Sequence, residues 1–195
     1  MSANRITWSG ATLAALLAMV ALAGCGGGGS STTTATEAAS TVQEPTSDAL
    51  VLDKVLARQE AAVDAYAEVI PTLAAPQLAR MAAYFRAQEQ EHVDATIKAL
   101  RGLNSKAEPE PEPVEAGDLK TDEERLRFLY EVEGATIDEE LSAIGKLEAT
   151  WPRSLLASVV ADQAQHRTLL RQALGAGPLA SVPEPFENGT APPPE

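Results

Sequence analysis

The sequence predicts an all-α protein, an antiparallel four-helix bundle built from two repeated helical hairpins with a long crossover linker. Three observations carry that prediction. Its residues are 45% hydrophobic but only 4% aromatic, rich in Ala and Leu, a balance that favours helix over sheet. Four segments repeat apolar residues every three or four positions. The two halves also superimpose with an offset of 74 residues, which sets Leu52 on Leu126, Val63 on Ile137, Ile70 on Ile144 and Leu100 on Leu174.

Residues 1–24 stand apart from this pattern. One cation, Arg5, precedes an apolar run over 11–23, too short for a permanent membrane span and suited to the core of a signal peptide. The run ends Leu22-Ala23-Gly24-Cys25, which resembles a bacterial lipobox and holds the only Cys of the chain. The resemblance implies cleavage between Gly24 and Cys25 and lipidation of Cys25. An ordinary secretory signal with an incidental Cys is the alternative. Two or three acyl chains would anchor the protein stably. That places it in the cell envelope, on the outer face of the cytoplasmic membrane or another exported membrane leaflet. Removing 1–24 takes away one cation and no acid, so the net charge passes from −13 to 14 − 28 = −14. Such a chain repels both nucleic acid and anionic lipid, and no basic groove is present, so nucleic acid is excluded as a partner. Residues 25–46, dominated by Gly, Ser, Thr and Ala, read as a flexible tether.

The bundle itself is expected over 47–175. Helix 1 runs over 47–70, with Ser47 as N-cap, Asp48 at its positive end and Pro71 as its stop. Its seam is Leu52, Val55, Leu56, Gln59, Val63, Tyr66 and Ile70. Helix 2 starts at Pro76, tolerated in a first turn, and runs to 101 before Gly102. Its seam is Leu78, Met81, Phe85, Glu89, His92, Thr96 and Leu100. Residues 104–118 contain alternating Glu and Pro and read as an extended, solvated linker that crosses from one end of the bundle to the other. Helix 3 opens on a capping box, Thr121-Asp122-Glu123-Glu124, and continues to 149 along Leu126, Leu129, Glu133, Ile137, Glu140, Ile144 and Leu147. Helix 4 begins at Thr150-Trp151-Pro152 and ends before Gly175, along Leu156, Val159, Gln163, His166 and Leu170. Residues 176–195, rich in Pro, read as a disordered tail.

Each seam turns polar at its centre, and the polar residues repeat. Gln59 falls on Glu133, Glu89 on Gln163 and His92 on His166. Each half therefore reads Glu or Gln, thirty residues on Glu or Gln again, then three residues on His. On a helix, residues three apart share a face, so all six groups converge in the bundle core. A buried, unpaired carboxylate costs several kcal/mol. The groups must be protonated, paired or bound to metal, so a hydrogen-bonded network and a metal site are the two readings.

With these residues in view, the chain resembles the ferritin-like superfamily of diiron-carboxylate bundles over about 48–175, and within it the exported bacterial ferritin-like domain lipoproteins. In that superfamily the first and third helices each give a terminal Glu, and the second and fourth a Glu-x-x-His whose Glu bridges two metals. By resemblance, Glu89 stands for a bridging Glu and His92 for its histidine. Glu133 stands for the third-helix Glu and His166 for the fourth-helix histidine. The departures are Gln59 and Gln163, each where a Glu is expected. Glu60 and Asp162 are the neighbours that could substitute. Glu60 is turned about 100° from Gln59 and matches Gly134 in the repeat, while Asp162 shares a face with His166, four residues on.

The expected metal residues are thus Glu89, His92, Glu133 and His166, with Gln59, Gln163, Asp162 and Glu60 as weaker candidates. Two carboxylates balance one divalent ion, Fe, Mn or Zn, and a dinuclear iron centre is not expected, since Gln oxygens are weak ligands. Tyr66, Tyr84 and Tyr130 read as packing residues with one hydrogen bond at the tip. No catalytic residue is singled out. The expected function is envelope metal binding or a redox-stress role. A metal-free envelope scaffold is the alternative, and an oxidase or peroxidase using Glu60 and Asp162 the third reading. The partner is the membrane through the lipid anchor, with self-association as a homodimer left open.

Overall fold

In the computed structural model, which describes residues 46–110 and 112–183, four α-helices run antiparallel: α1 (Ser47–Val69), α2 (Pro76–Gly102), α3 (Asp122–Lys146) and α4 (Thr150–Ala173). No strand occurs among the described residues. The expected signal peptide, Cys25 and nearly all of the expected tether lie outside them, as do 184–195. Among the described residues, no helix is long and apolar enough to cross a membrane.

The helix ends differ from expectation by a residue or a few, for identifiable reasons. Thr46, not Ser47, caps α1, its hydroxyl accepting from the Ala49 N–H at 3.2 Å. Pro71 sits inside a 3-10 turn, Ile70–Thr72, that tightens the end of α1. Gly102 stays helical. The left-handed position after α2 belongs to Asn104 (φ 57°), where the Ser105 N–H bonds the Leu100 carbonyl at 3.0 Å. This is the Schellman closure, repeated after α4 with Gly175 (φ 100°) and the Ala176 N–H on the Arg171 carbonyl. Helix α3 keeps its capping box at Thr121 and Glu124 but ends at Lys146, three residues early.

That early end has a cause. The extended backbone after Lys146 presents the N–H groups of Glu148 and Ala149 to the buried Asp48 carboxylate, at 2.8 and 2.9 Å. Asp48 was expected only to favour the helix dipole. At the other end, Asp122 takes the N–H groups of Ala74 and Ala75, both at 2.9 Å.

The crossover linker also does more than span. The Glu108 N–H bonds Asp53 at 3.3 Å, Arg58 pairs with Glu112 at 2.7 Å, and Ala116 is buried. Beyond α4, the first residues of the expected tail turn back, with Gln172 donating to the buried Ser181 hydroxyl at 3.0 Å.

Helix α1 packs on α2 and α3, and α3 on α4, while α2 and α4 touch only slightly. The apolar core falls into two clusters. One, around Leu52, Leu56, Val93, Leu100 and Leu156, fills the end where α1 begins. The other, around Tyr66, Phe85, Leu129, Tyr130 and Leu170, fills the far end. A polar layer lies between them.

Candidate metal centre

Each helix brings to that layer the residues its seam placed there. Gln59, Glu89, Glu133, Glu140 and Gln163 are fully buried, His166 nearly so, and His92 is about 9% exposed. The His166 Nδ1 lies 3.1 Å from Glu133 Oε1 and 3.2 Å from Glu89 Oε1. Tyr66 donates its hydroxyl to the same Glu133 oxygen at 2.6 Å. One ligand atom from each of Glu89, Glu133 and His166 falls within 4.8 Å of the others. Three helices thus deliver two carboxylates and an imidazole to one point.

The other candidates stand around this group. His92 turns Nδ1 to Glu89 Oε2 at 3.4 Å and Nε2 to Asp162 at 3.2 Å, which places it beside the three-ligand group. Asp162, 28% exposed at its side chain, meets both imidazoles from outside, 3.6 Å from His166 Nε2. Gln163 donates to Glu89 Oε2 at 3.4 Å, and Gln59 to Glu140 Oε1 at 2.8 Å. Glu60 is only partly buried, on a different face from Gln59. Tyr84 is exposed, and Tyr130 lies under the Arg167 guanidinium.

The bonds obey the 74-residue repeat. Tyr66–Glu133 in one half corresponds to Glu140–Gln59 in the other, since 66 + 74 = 140 and 133 − 74 = 59. Likewise Gln88 meets His166 Nε2 at 3.0 Å as Asp162 meets His92 Nε2, and 88 + 74 = 162. Glu140 and Gln88 were not foreseen as members of the centre. Glu140 could have been found from its seam position and its register with Tyr66. Gln88 offers no comparable polar match except through Asp162.

Electrostatics distinguish the acids. Burial acts to raise Glu89, but hydrogen bonds from His166 and His92 outweigh it and hold its pKa below the ordinary value. Burial and the nearby Glu89 charge push Glu133 up to about 7. Burial drives Glu140 well above the carboxylate range, and the bond from Gln59 does not offset it. Burial opposes the His166 charge, yet bonds to Glu133 and Glu89 raise its pKa to about 10.

The residues fit a cation. Gln59 Oε1, Glu133 Oε2, Glu140 Oε2 and Gln163 Oε1 are buried and accept no hydrogen bond among the described residues. Unmet acceptors of this kind cost about 1–3 kcal/mol each, and a metal ion is one way to satisfy them. The charge of Glu89 and Glu133 balances a single divalent ion. Neutral Gln59 and Gln163 add no charge for a second.

A family model described as ferritin-like domain matches residues 61–176. The chain belongs to the ferritin-like domain family. Solved structures share the fold. A ferritin-like, diiron-carboxylate protein from Bacillus anthracis is 19% identical with a TM-score of 0.58, covering 66% of this chain and 95% of that one. A conserved hypothetical protein from Mycobacterium tuberculosis is 18% identical with a TM-score of 0.60, covering 72% and 97%. A Dps1 mutant from Mycobacterium smegmatis is 16% identical with a TM-score of 0.60, covering 65% and 94%. No curated protein matches this sequence. As a ferritin-like domain, the bundle carries its candidate metal group at the level of the Glu-x-x-His pair in α2.

Proposed function

We propose that this ferritin-like protein is anchored by a lipid on Cys25 to the outer face of a membrane and binds one divalent ion, Fe, Mn or Zn, through Glu89, Glu133 and His166. The convergence of those three buried groups within 4.8 Å carries the reading. His92, held between Glu89 and Asp162, orients the Glu89 carboxylate. Tyr66 fixes Glu133. Such an ion would supply Lewis acidity or one-electron chemistry in the envelope, consistent with metal binding or redox-stress protection.

Elemental analysis of the full chain, exported and purified without chelator, should find about one equivalent of metal, as three protein ligands for one ion require. Glu89→Ala and His166→Ala should each lose it. Mass spectrometry should find acyl chains that Cys25→Ser removes.

A second reading, a metal-free envelope scaffold, draws support from one observation. The His166 imidazolium pairs with both Glu89 and Glu133, which offsets part of their charge within the protein itself. A protein isolated without metal, whose melting temperature ignores Fe(II), Mn(II) and Zn(II), favours the scaffold, because a ligand bound only by the folded form must stabilise it.

A further inference from the structure

Among the described residues, the polar layer is closed on every side but one. Along the bundle axis the two apolar clusters close it. Laterally, α1 packs closely on α2 and on α3, and α3 on α4, whereas α2 and α4 touch only slightly. On the α1–α3 side the acids are engaged, Glu133 by Tyr66 at 2.6 Å and Glu140 by Gln59 at 2.8 Å, and all four side chains are fully buried. The exposure that remains lies on the α2–α4 side. Asp162 keeps 28% of its side chain accessible and His92 11%, against 2% for His166 and 0% for Glu89 and Glu133. These residues form a chain of ligand atoms from surface to centre. The Asp162 Oδ2 lies 3.2 Å from His92 Nε2 and 3.6 Å from His166 Nε2, and His92 Nδ1 lies 3.4 Å from Glu89 Oε2. Gln88, the repeat partner of Asp162, sets its own oxygen 3.0 Å from His166 Nε2. The mouth of the seam thus carries one carboxylate and one neutral amide at equivalent positions of the two halves.

We propose that the α2–α4 seam is the port through which a divalent ion reaches and leaves the buried centre, with Asp162 as its outer carboxylate and His92 as the step between Asp162 and Glu89. The proposal rests on the reading of Glu89, Glu133 and His166 as metal ligands. A hydrated divalent ion cannot cross an apolar cluster without an uncompensated loss of its water. Along the seam, oxygen and nitrogen donors spaced 3.2 and 3.4 Å apart replace that water one ligand at a time. An exposed carboxylate at the mouth also raises the local concentration of cations, and with it the rate of entry. Asp162 then acts on the passage rather than on the bound state, so its loss slows entry and release together. A carboxylate that only orients the imidazoles through their Nε2 atoms behaves differently. Its loss weakens the bound state and speeds release.

The test mixes the full chain, stripped of metal, with Zn(II) and a chromophoric zinc indicator by stopped flow, and reads release as transfer of Zn(II) to excess indicator. Asp162→Asn should slow uptake about tenfold at low salt and slow release as well, with Kd changing far less than either rate. Asp162 is partly exposed and Asn matches its shape, so the helical circular dichroism should be retained. Gln88→Glu adds a second carboxylate at the repeat-related position and should speed both steps. Uptake by the parent chain should fall with rising ionic strength, less steeply in Asp162→Asn and more steeply in Gln88→Glu. Uptake at the parent rate in both variants, whatever happens to release, overturns the port and leaves the metal centre standing. A chain that takes up no Zn(II) overturns both.

Discussion

Asp48 and Asp122, 74 residues apart, make the same pair of bonds at opposite ends of the bundle. Each carboxylate reaches across to the loop between the two helices of the other hairpin and accepts two backbone N–H groups, of Glu148 and Ala149 or of Ala74 and Ala75. The hairpins are thereby cross-braced at both ends, with the polar layer between.

Removing either brace leaves two backbone donors without their partner. Asp48→Ala, at the buried position, should lower unfolding free energy by about 2–3 kcal/mol, the scale of charge-assisted bonds, read from urea melts. Asp122→Asn should act in the same direction and also change the acid limb. The bonds from Ala74 and Ala75 hold the Asp122 pKa below its ordinary value, so its contribution is present above the unfolded pKa. It is lost as pH falls through the lower folded value. The variant should show less acid sensitivity in that window. The braces are far apart, so the double variant should be nearly additive.

The polar layer responds to charge in a way the repeat makes testable. Gln163 donates an N–H to Glu89 Oε2, whereas Gln163→Glu sets two acids face to face. Without metal the variant should lose about 1–3 kcal/mol, because one buried carboxyl must hold a proton. With metal it gains a bridging carboxylate, and the bound ratio should rise from one toward two equivalents by elemental analysis. An unchanged melt together with an unchanged ratio would sink this account of the layer.

Much of this was legible in sequence, and the remainder was hidden for physical reasons. The four helices, the long crossover and the polar centre follow from seam spacing and the repeat, since Glu89, Glu133 and His166 sit at seam positions. The braces were missed although Asp48 and Asp122 stand in repeat register, because their partners are backbone N–H groups, which carry no side-chain signature. The sequence places Asp162 on the His166 face as a weaker ligand candidate, and the structure sets its carboxylate at the outer nitrogens of His92 and His166. Glu140 was treated as one more seam residue. Only the Gln59 amide, turned toward it at 2.8 Å, reveals its role.

Proton linkage should govern metal binding. His166, raised to about 10, and Glu133, raised to about 7, both hold protons that a metal must displace. Affinity should therefore rise roughly tenfold per pH unit between neutrality and about 10, and more steeply below 7. Calorimetry in buffers of different ionisation enthalpy should find close to one proton released near pH 8. Without metal the sign is opposite. Both groups bind protons more tightly in the folded state, so stability falls as pH rises from the unfolded Glu value through 7 and again from the unfolded His value through about 10.

The symmetry-related bonds Tyr66–Glu133 and Gln59–Glu140 should separate a ligand-bearing half from one without a ligand. Burial raises the Glu140 pKa well above its ordinary value, which favours the protonated form. Glu140→Gln preserves its shape and the acceptor that Gln59 uses. Stability should change by less than about 1 kcal/mol, with metal affinity close to the parent. Tyr66→Phe removes a hydroxyl 2.6 Å from a Glu133 oxygen, and a carboxylate deprived of its outer partner typically binds metal about 10–100-fold more weakly. Paired titrations of the two variants with Mn(II) or Zn(II) check the contrast. Equal losses in both would mean that the two halves contribute alike, and that a single-ion centre at Glu133 and His166 is the wrong division of the bundle.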